Sequence, residues 1–492
     1  MHHVLADERS LCVIAARGNH LEERVKHLGE SRMKAGRRLA TRMENGGVRW
    51  RGLLYGVVAV TLASAAAACS SSGPPNNRPM PEEGPDGMPI RQNRRVRPGI
   101  SVLMDDSIRL VAGKRVALIT NQTGVDERGR RSIDLLASDP RAVAANVKLV
   151  RLFAPEHGAS GTEDKSNVAD EKDEKTGLPI YSLYQRTTVA PPDSLLTDVD
   201  VLVVDLQDIG TRTWTYVGVM LYTMRAGARR GIPVVVLDRP NPLGGTHVEG
   251  SMLDSALANP EESTPARPAN GFALFPMPLR HGLTMGELAR VFQAQLKLTT
   301  KLTVVPMQYW RRTMWFDQTG LPWVKPSPNL PTLTNALLYP ALVPFEASNL
   351  SVGRGTNEPF LRIGAPWLRA DTLARLLEDL SLTGVRFRAE RFTPSLPGDG
   401  KYAGRLIPGL RIEVTNRDLV QPARVGAAIL WGLARLNRDS LKLTDRGFDQ
   451  RMGAARVREA ILGGADPDAV IDRQLPAVVA FERDVRRFYL YR

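Results

Sequence analysis

The sequence predicts an α/β protein: a Rossmann-like parallel sheet over about residues 99–282, followed by a second α+β domain over 283–492. Three observations carry this reading. Four short apolar runs rich in β-branched residues, Arg115–Thr120, Val147–Phe153, Val199–Val204 and Ile232–Leu237, have the length and composition of strands buried on both faces of a parallel sheet. Stretches of helical character separate them, which is the alternation that builds βαβ units. Beyond residue 283 that alternation stops, and a region rich in proline and aromatic residues begins.

In order along the chain, the run Arg115–Thr120 is followed by a helical stretch near Arg131–Ala137. Val147–Phe153 leads into a long polar segment, Glu156–Thr176, and Leu178–Tyr184 reads as a short strand or loop. Val199–Val204 precedes a helix from about Tyr216 to Arg230, which Gly231 ends, glycine being the residue that most easily adopts the left-handed stop. In the second part Thr284–Leu296 reads as a helix with Thr284 as its cap, and Leu302–Val305 as a strand. Tyr309–Pro366 reads as a long loop with too many aromatics to be disordered. Ala370–Leu380, Gln421–Leu436 and Ala465–Tyr491 read as helical and Leu410–Thr415 as a strand.

The N-terminal part has a different character. Arg49 and Arg51 precede the apolar stretch Leu53–Ala68, which runs into Cys69. A basic region, an apolar core and small residues before a cleavage point form a secretory signal. Ala66-Ala67-Ala68-Cys69 resembles a lipobox, with Ala66 where leucine is more usual. Residues 43–68 are therefore expected to be a lipoprotein signal peptide, with Cys69 lipidated. Residues 69–98, rich in Ser, Gly, Pro and Asn, are expected to form a disordered tether. The charged segment 1–42 does not fit in front of a signal peptide, so Met43 is the expected start, with residues 1–42 a mis-assigned start or disordered. The expected location is the cell envelope, at the periplasmic face of the outer membrane, with contact to the membrane through the lipid alone.

Composition narrows the chemistry. Of 492 residues only two are cysteine, Cys12 and Cys69, so the body offers no disulfide, no thiolate metal site and no cysteine nucleophile. The formal net charge of +14 is concentrated partly in the leader and tether, and there is no basic block interleaved with aromatics, so nucleic acid is not an expected partner. The first strand is not followed by G-x-G-x-x-G, no phosphate-binding loop is present, and Gly158-Ala159-Ser160-Gly161 does not match a nucleophile elbow. No metal or cofactor is called for.

Polar segments follow each of the four runs: Asn121-Gln122-Thr123-Gly124, Ala154-Pro155-Glu156-His157-Gly158, Asp205-Leu206-Gln207-Asp208-Ile209-Gly210 and Asp238-Arg239-Pro240-Asn241-Pro242. Ligands of open α/β sheets bind outside the carboxyl ends of the strands, so these segments define one candidate rim. Glu156, between Pro155 and the turn at Gly158, is either a general acid or a carboxylate bonded to loop amides. His157 orients that carboxylate or contacts substrate. Asp205 and Asp208 serve a ligand or cap the following loop. Arg239 either clamps a carboxylate or pairs with a rim acid. Glu346, Asn349, Arg354 and Glu358 occupy a glycine-bearing loop that suggests a second wall. Most of the tryptophans read as core.

Together these segments, with Val248-Glu249-Gly250, Arg280-His281-Gly282, Pro326-Ser327-Pro328-Asn329 and Gly353-Arg354-Gly355-Thr356, resemble the signature of the exo-β-N-acetylmuramidases of the NamZ type over about Gly99–Arg492. The resemblance implies a glycoside hydrolase that releases N-acetylmuramic acid from the non-reducing end of peptidoglycan fragments, with the active site in the cleft between the two domains. It implies Glu156 as catalytic; from the residues themselves Glu346 is taken as the second carboxylate, and Asn121, His157, Asp208, Arg239, Asn241, Asn349 and Arg354 as substrate-binding residues. Asp208 in place of Glu346, or assistance by the substrate's acetamido group, are alternatives for the second role. Arg239 or Arg354 is the expected partner of the lactyl carboxylate. The sequence departs from the family in Phe345-Glu346-Ala347-Ser348-Asn349, where Gly-Thr usually follows the glutamate. The competing reading is a non-catalytic envelope lipoprotein that binds muropeptides in the same cleft.

Overall fold

The computed structural model describes residues 94–164, 168–185, 189–261 and 271–492. The expected signal peptide, Cys69 and most of the expected tether lie outside the described residues. The end of that tether does not: Val96 is buried and donates its amide to the Thr319 carbonyl, and Arg97 bridges Gln308, so residues 94–98 belong to the folded body.

The first half alternates as expected: α1 (Gly99–Asp106), β1 (Arg115–Thr120), α2 (Ser132–Ser138), α3 (Pro140–Ala144), β2 (Lys148–Ala154), β3 (Glu171–Lys172), β4 (Pro179–Ser182), β5 (Val201–Asp205), α4 (Thr215–Arg230), β6 (Val234–Leu237), α5 (Met285–Gln295) and β7 (Leu302–Val305). Seven strands form one sheet in the order β3-β4-β2-β1-β5-β6-β7, parallel except for β3 at one edge. The sheet takes its last strand from beyond the boundary expected at residue 282. β7 pairs along all of β6, and α5 is the crossover between them, so this unit belongs with the sheet. Gly231, at φ 67°, closes α4, and a capping box of Thr284 and Glu287 opens α5.

Alternate residues of each strand enter different cores, as the period of two requires. Val116, Leu118, Val201, Val203, Val235 and Leu237 pack with Ile100, Leu103 and Leu136 on one face. Ala117, Ile119, Leu202, Val204, Val234 and Val236 pack on the other with Tyr216, Met220, Leu288 and Phe292.

The second half contributes α6 (Leu333–Leu342), β8 (Arg362–Gly364), α7 (Ala370–Glu378), β9 (Val385–Phe392), β10 (Ile407–Val414), α8 (Pro422–Leu436), α9 (Asp445–Met452), α10 (Ala455–Leu462), α11 (Pro467–Asp472) and α12 (Leu475–Val485). β8, β10 and β9 form an antiparallel sheet in that order. The segment Tyr309–Pro366, expected to be loop, holds α6 and β8. Pro340 lies inside α6, so its sequence reads as a break, while Thr332 and Asn335 supply a capping box at its start. The second core faces of the two halves are continuous: Leu337, Phe345, Phe360, Ile429 and Phe448 join the cluster that covers α4 and α5.

The chain's last residues return to the first sheet. The Tyr491 hydroxyl donates to Asp238 Oδ2 at 2.6 Å, Thr284 Oγ1 donates to the same oxygen at 2.7 Å, and the Gly286 amide reaches Oδ1 at 2.7 Å. Burial nevertheless raises the Asp238 carboxyl to about 7 against these donors, and neighbouring Glu287 adds to the rise. The folded protein thus holds this proton more tightly than the unfolded chain. The resulting stability is complete below the ordinary carboxyl range and is lost as pH rises towards about 7. Asp238→Asn removes that titration. Denaturant midpoints measured from about pH 5 to about pH 8 should fall less steeply in the variant than in the wild type.

Candidate active site

The polar segments after the parallel strands meet at one rim, but their side chains divide into two groups. The first builds the rim. Asp205, at the end of β5, accepts from Arg239 Nε at 2.6 Å and Nη2 at 3.0 Å, and from the Ser132 hydroxyl. Arg239 Nη2 also donates to the Val125 carbonyl at 2.8 Å, and the residue is 4% exposed. Arg239 is therefore the buried partner of a rim acid and not a free carboxylate clamp. The cost of leaving Asp205 uncompensated in the sheet end explains the pairing. A water-sized hollow beside Arg239, walled by Val125, Phe316, Leu321 and Trp323, is lined by neither Glu156 nor Glu346.

Two of the three expected asparagine contacts, Asn241 and Asn349, are bonded to main chain. Asn241 Nδ2 donates to the Leu283 carbonyl at 2.9 Å while Oδ1 accepts the Leu243 amide at 3.0 Å. Asn349 Nδ2 donates to the Ser440 carbonyl at 2.8 Å and Oδ1 accepts the Lys442 amide at 2.9 Å. In both, the amide is used at both ends by main chain. Asn121 Oδ1 accepts the Thr123 amide at 3.0 Å and hydroxyl at 2.6 Å, whereas its buried Nδ2 has no hydrogen bond of good geometry and stands beside the Tyr216 hydroxyl. Asp208 Oδ2 accepts the Gly210 amide at 2.7 Å and lies 3.4 Å from His281 Nε2. His281 Nδ1 accepts the Leu283 amide at 3.1 Å, which puts the imidazole proton on Nε2, facing Asp208. His157, at φ 74°, turns the chain after Glu156, and its Nδ1 is 2.5 Å from the Glu163 carbonyl oxygen.

The second group faces Glu156 and Glu346. Glu156 follows the end of β2 by two residues. Its Oε2 accepts the Thr215 hydroxyl at 2.6 Å, and its main-chain carbonyl accepts the Tyr216 hydroxyl at 3.3 Å. Tyr216 also donates to the Pro326 carbonyl at 2.7 Å. Tyr184, just past β4, stands against the Glu156 side chain. Burial, then the negative charge of Glu156, pushes its hydroxyl well above the ordinary phenol value, and Arg354 and Glu346 also act on it. Tyr339 on α6 is raised by burial and by both Glu346 and Glu156. The two glutamates therefore share the same tyrosine neighbours.

Glu346 lies in the tight turn Val343–Ala347, on which α9 packs. Its Oε1 accepts from Arg354 Nε at 3.0 Å, Arg451 Nε lies 3.6 Å from Oε2, and Lys401 Nζ donates to its carbonyl at 2.9 Å. Burial opposes its ionisation, but Arg354, Arg451 and Lys401 outweigh burial and hold its carboxyl below the ordinary value. Arg354 also pairs with Asp164 at 2.9 Å. Glu358 lies apart, bound by Arg411 at 2.6 Å and by Arg362. Among the described residues no arginine or lysine pairs with Glu156, whose side-chain neighbours are hydroxyls.

Arg212 joins the two halves of the site. Its guanidinium is buried and donates to the Gln450 carbonyl at 2.7 Å and the Arg451 carbonyl at 3.0 Å, the last carbonyls of α9. Burial without a carboxylate partner pulls it down to about 9, and the negative end of the helix dipole is its compensation.

Sequence reasoning did not single out Tyr184, Thr215, Tyr339, Lys401 or Arg451. Tyr184 had a signal, since it closes the segment Leu178–Tyr184 read as a short strand or loop. Arg451 had none, because its helix reaches Glu346 only through tertiary packing.

With this arrangement in place, comparison with known proteins is decisive. The N-terminal model of the exo-β-N-acetylmuramidase NamZ family matches residues 116–334 and its C-terminal model matches residues 337–491. The chain belongs to the NamZ family. The peptidoglycan β-N-acetylmuramidase NamZ of Bacillus subtilis (strain 168) is 39% identical over 399 residues, covering 81% of this chain and 92% of that protein. Two crystal structures of DUF1343 family proteins from Bacteroides fragilis NCTC 9343 share the fold. One has a TM-score of 0.71 at 33% identity and the other 0.62 at 28%, each over 81% of this chain, covering 100% and 99% of those chains. The two family models together cover most of the described body, and both carboxylates fall within the matched regions.

Arg354→Met tests the charge balance around Glu346. Loss of the cation leaves a buried carboxylate undercompensated and should destabilise the protein by about 3 kcal/mol. Glu346 in the variant takes up a proton more readily, so the deficit should shrink at low pH, where a neutral carboxyl needs no cation. Denaturant unfolding at about pH 4 and about pH 8 reads both effects.

Proposed function

We propose that this protein is a glycoside hydrolase that removes N-acetylmuramic acid from the non-reducing end of peptidoglycan fragments. The observation that carries this is the match to an exo-β-N-acetylmuramidase family through both of its regions, in a chain where Glu156 and Glu346 act electrostatically on the same two tyrosines, Tyr184 and Tyr339. Membership of the family supports the reaction, and the surroundings of the two carboxylates support their roles.

Glycoside hydrolysis needs a proton for the leaving oxygen and negative charge beside the positive sugar of the transition state. Glu156 touches hydroxyls and pairs with no cation among the described residues, and we assign it the role of general acid. Glu346 is held ionised by Arg354, Arg451 and Lys401 and supplies the negative charge or the base. Arg354 already pairs with Glu346 and Asp164, and we take the Asp164 pair as the one that the lactyl carboxylate of muramic acid would replace. Asn121, whose buried amide nitrogen stands beside the Tyr216 hydroxyl, steadies the tyrosine that holds the Glu156 main chain. A signal peptide ending before Cys69 and a lipid on that cysteine would hold the enzyme at the envelope, where fragments of the wall are released.

Glu156→Gln should lower release of N-acetylmuramic acid from a chromogenic muramide by roughly a thousandfold while circular dichroism and unfolding stay as in the wild type. Wild-type protein that releases nothing from any muramyl substrate would overturn the reading in favour of a binder. Separately, Cys69→Ala should move the protein from the membrane fraction to the soluble envelope fraction and abolish incorporation of labelled fatty acid.

A further inference from the structure

We propose that Thr215 is the positioning residue for Glu156, determining which carboxyl oxygen carries the proton given to the departing sugar. The inference rests on the reading of Glu156 as the acid.

Thr215 is the first residue of α4, directly after the loop that leaves β5. Its hydroxyl donates to Glu156 Oε2 at 2.6 Å. The other side of the residue is packed: a Cβ placed on Gly271 would come within 3.3 Å of Thr215 Cβ and 3.4 Å of its Cγ2. The methyl therefore faces a glycine that leaves it just enough room. A β-branched side chain has few χ1 choices, so a fixed methyl fixes the hydroxyl. Tyr216, the next residue, holds the Glu156 main chain through its carbonyl. One turn of helix thus grips both the backbone and one oxygen of the glutamate.

A hydroxyl has a single proton to donate. Given to Oε2, it makes that oxygen a hydrogen-bond acceptor and leaves Oε1 to hold the acidic proton. Of the groups facing Glu156, Tyr184, Tyr216 and Tyr339 are all raised by burial and by the glutamate's own charge, and none is a competing acid near neutral pH, while Glu346 and Arg354 act on the same Tyr184. Thr215 then holds Oε2 from the helix, while Tyr184 stands against the same carboxyl without the packed methyl that locks Thr215. It also favours the ionised form after the proton has gone, which is the form that must accept a proton back from water in a second step.

The test uses the purified protein and a chromogenic muramide, with full pH profiles of kcat and kcat/KM. Thr215→Val keeps the shape and removes the donor. It should lower kcat by roughly tenfold, leave KM nearly unchanged, and move the basic limb of kcat/KM upward by about one pH unit. Thr215→Ser keeps the donor without the methyl and should return the limb to its wild-type position and recover most of kcat. If Thr215→Val does not fold, Thr215→Ala takes its place in the comparison. Wild-type kcat and limb in the valine variant would overturn the inference, as would a serine variant impaired as much as valine. An active Glu156→Gln would instead overturn the acid reading itself, whereas an inactive Glu156→Gln beside an unaffected Thr215→Val defeats only the role of Thr215.

Discussion

The contact on which the site depends is the buried Arg212 guanidinium at the end of α9. A charge taken out of water without a carboxylate is costly, and here two main-chain carbonyls and a helix terminus compensate for it. The same contact satisfies carbonyls that the helix itself cannot. Because Arg212 lies in the loop before α4 and α9 carries Arg451, one hydrogen-bonded joint links the stretch that leads to Thr215 and Tyr216, which hold Glu156, to the helix packed on the turn holding Glu346. The continuous core beneath, through Phe345 and Phe448, makes the joint rigid.

The two carboxylates illustrate how surroundings divide one chemistry into two roles. Glu346 is surrounded by cations, whereas hydroxyls line Glu156. Neither arrangement depends on the residue type, which is the same in both. It depends on which elements end nearby: the glycine-bearing loop after α6 brings Arg354, and the start of α4 brings Thr215 and Tyr216.

Much of this was legible in the sequence. β1 and β7 have the expected limits, and β2, β5 and β6 lie within two residues of theirs, because buried parallel strands announce themselves as short β-branched runs. The rim and Glu156 followed from where those runs end. What the sequence concealed had physical reasons. Whether Arg239 serves a ligand or a neighbour depends on Asp205 lying across the sheet, a distance no linear pattern carries. Asn241 and Asn349 look the same in sequence whether their amides face a sugar or the main chain. α6 was hidden by Pro340, and β7 joined the first sheet although local composition gave no clue to its partner.

The placement of Tyr491 ties the first sheet to a distant stretch of chain. β6 is formed from residues near the middle of the chain, yet the hydroxyl that satisfies Asp238 at its end comes from 253 residues further on. Closing a loop of that length costs chain entropy before the contact returns anything. The polar end of β6 is therefore settled by docking of a remote segment, and loosening that segment would strip a donor from an acid deep in the other half of the fold.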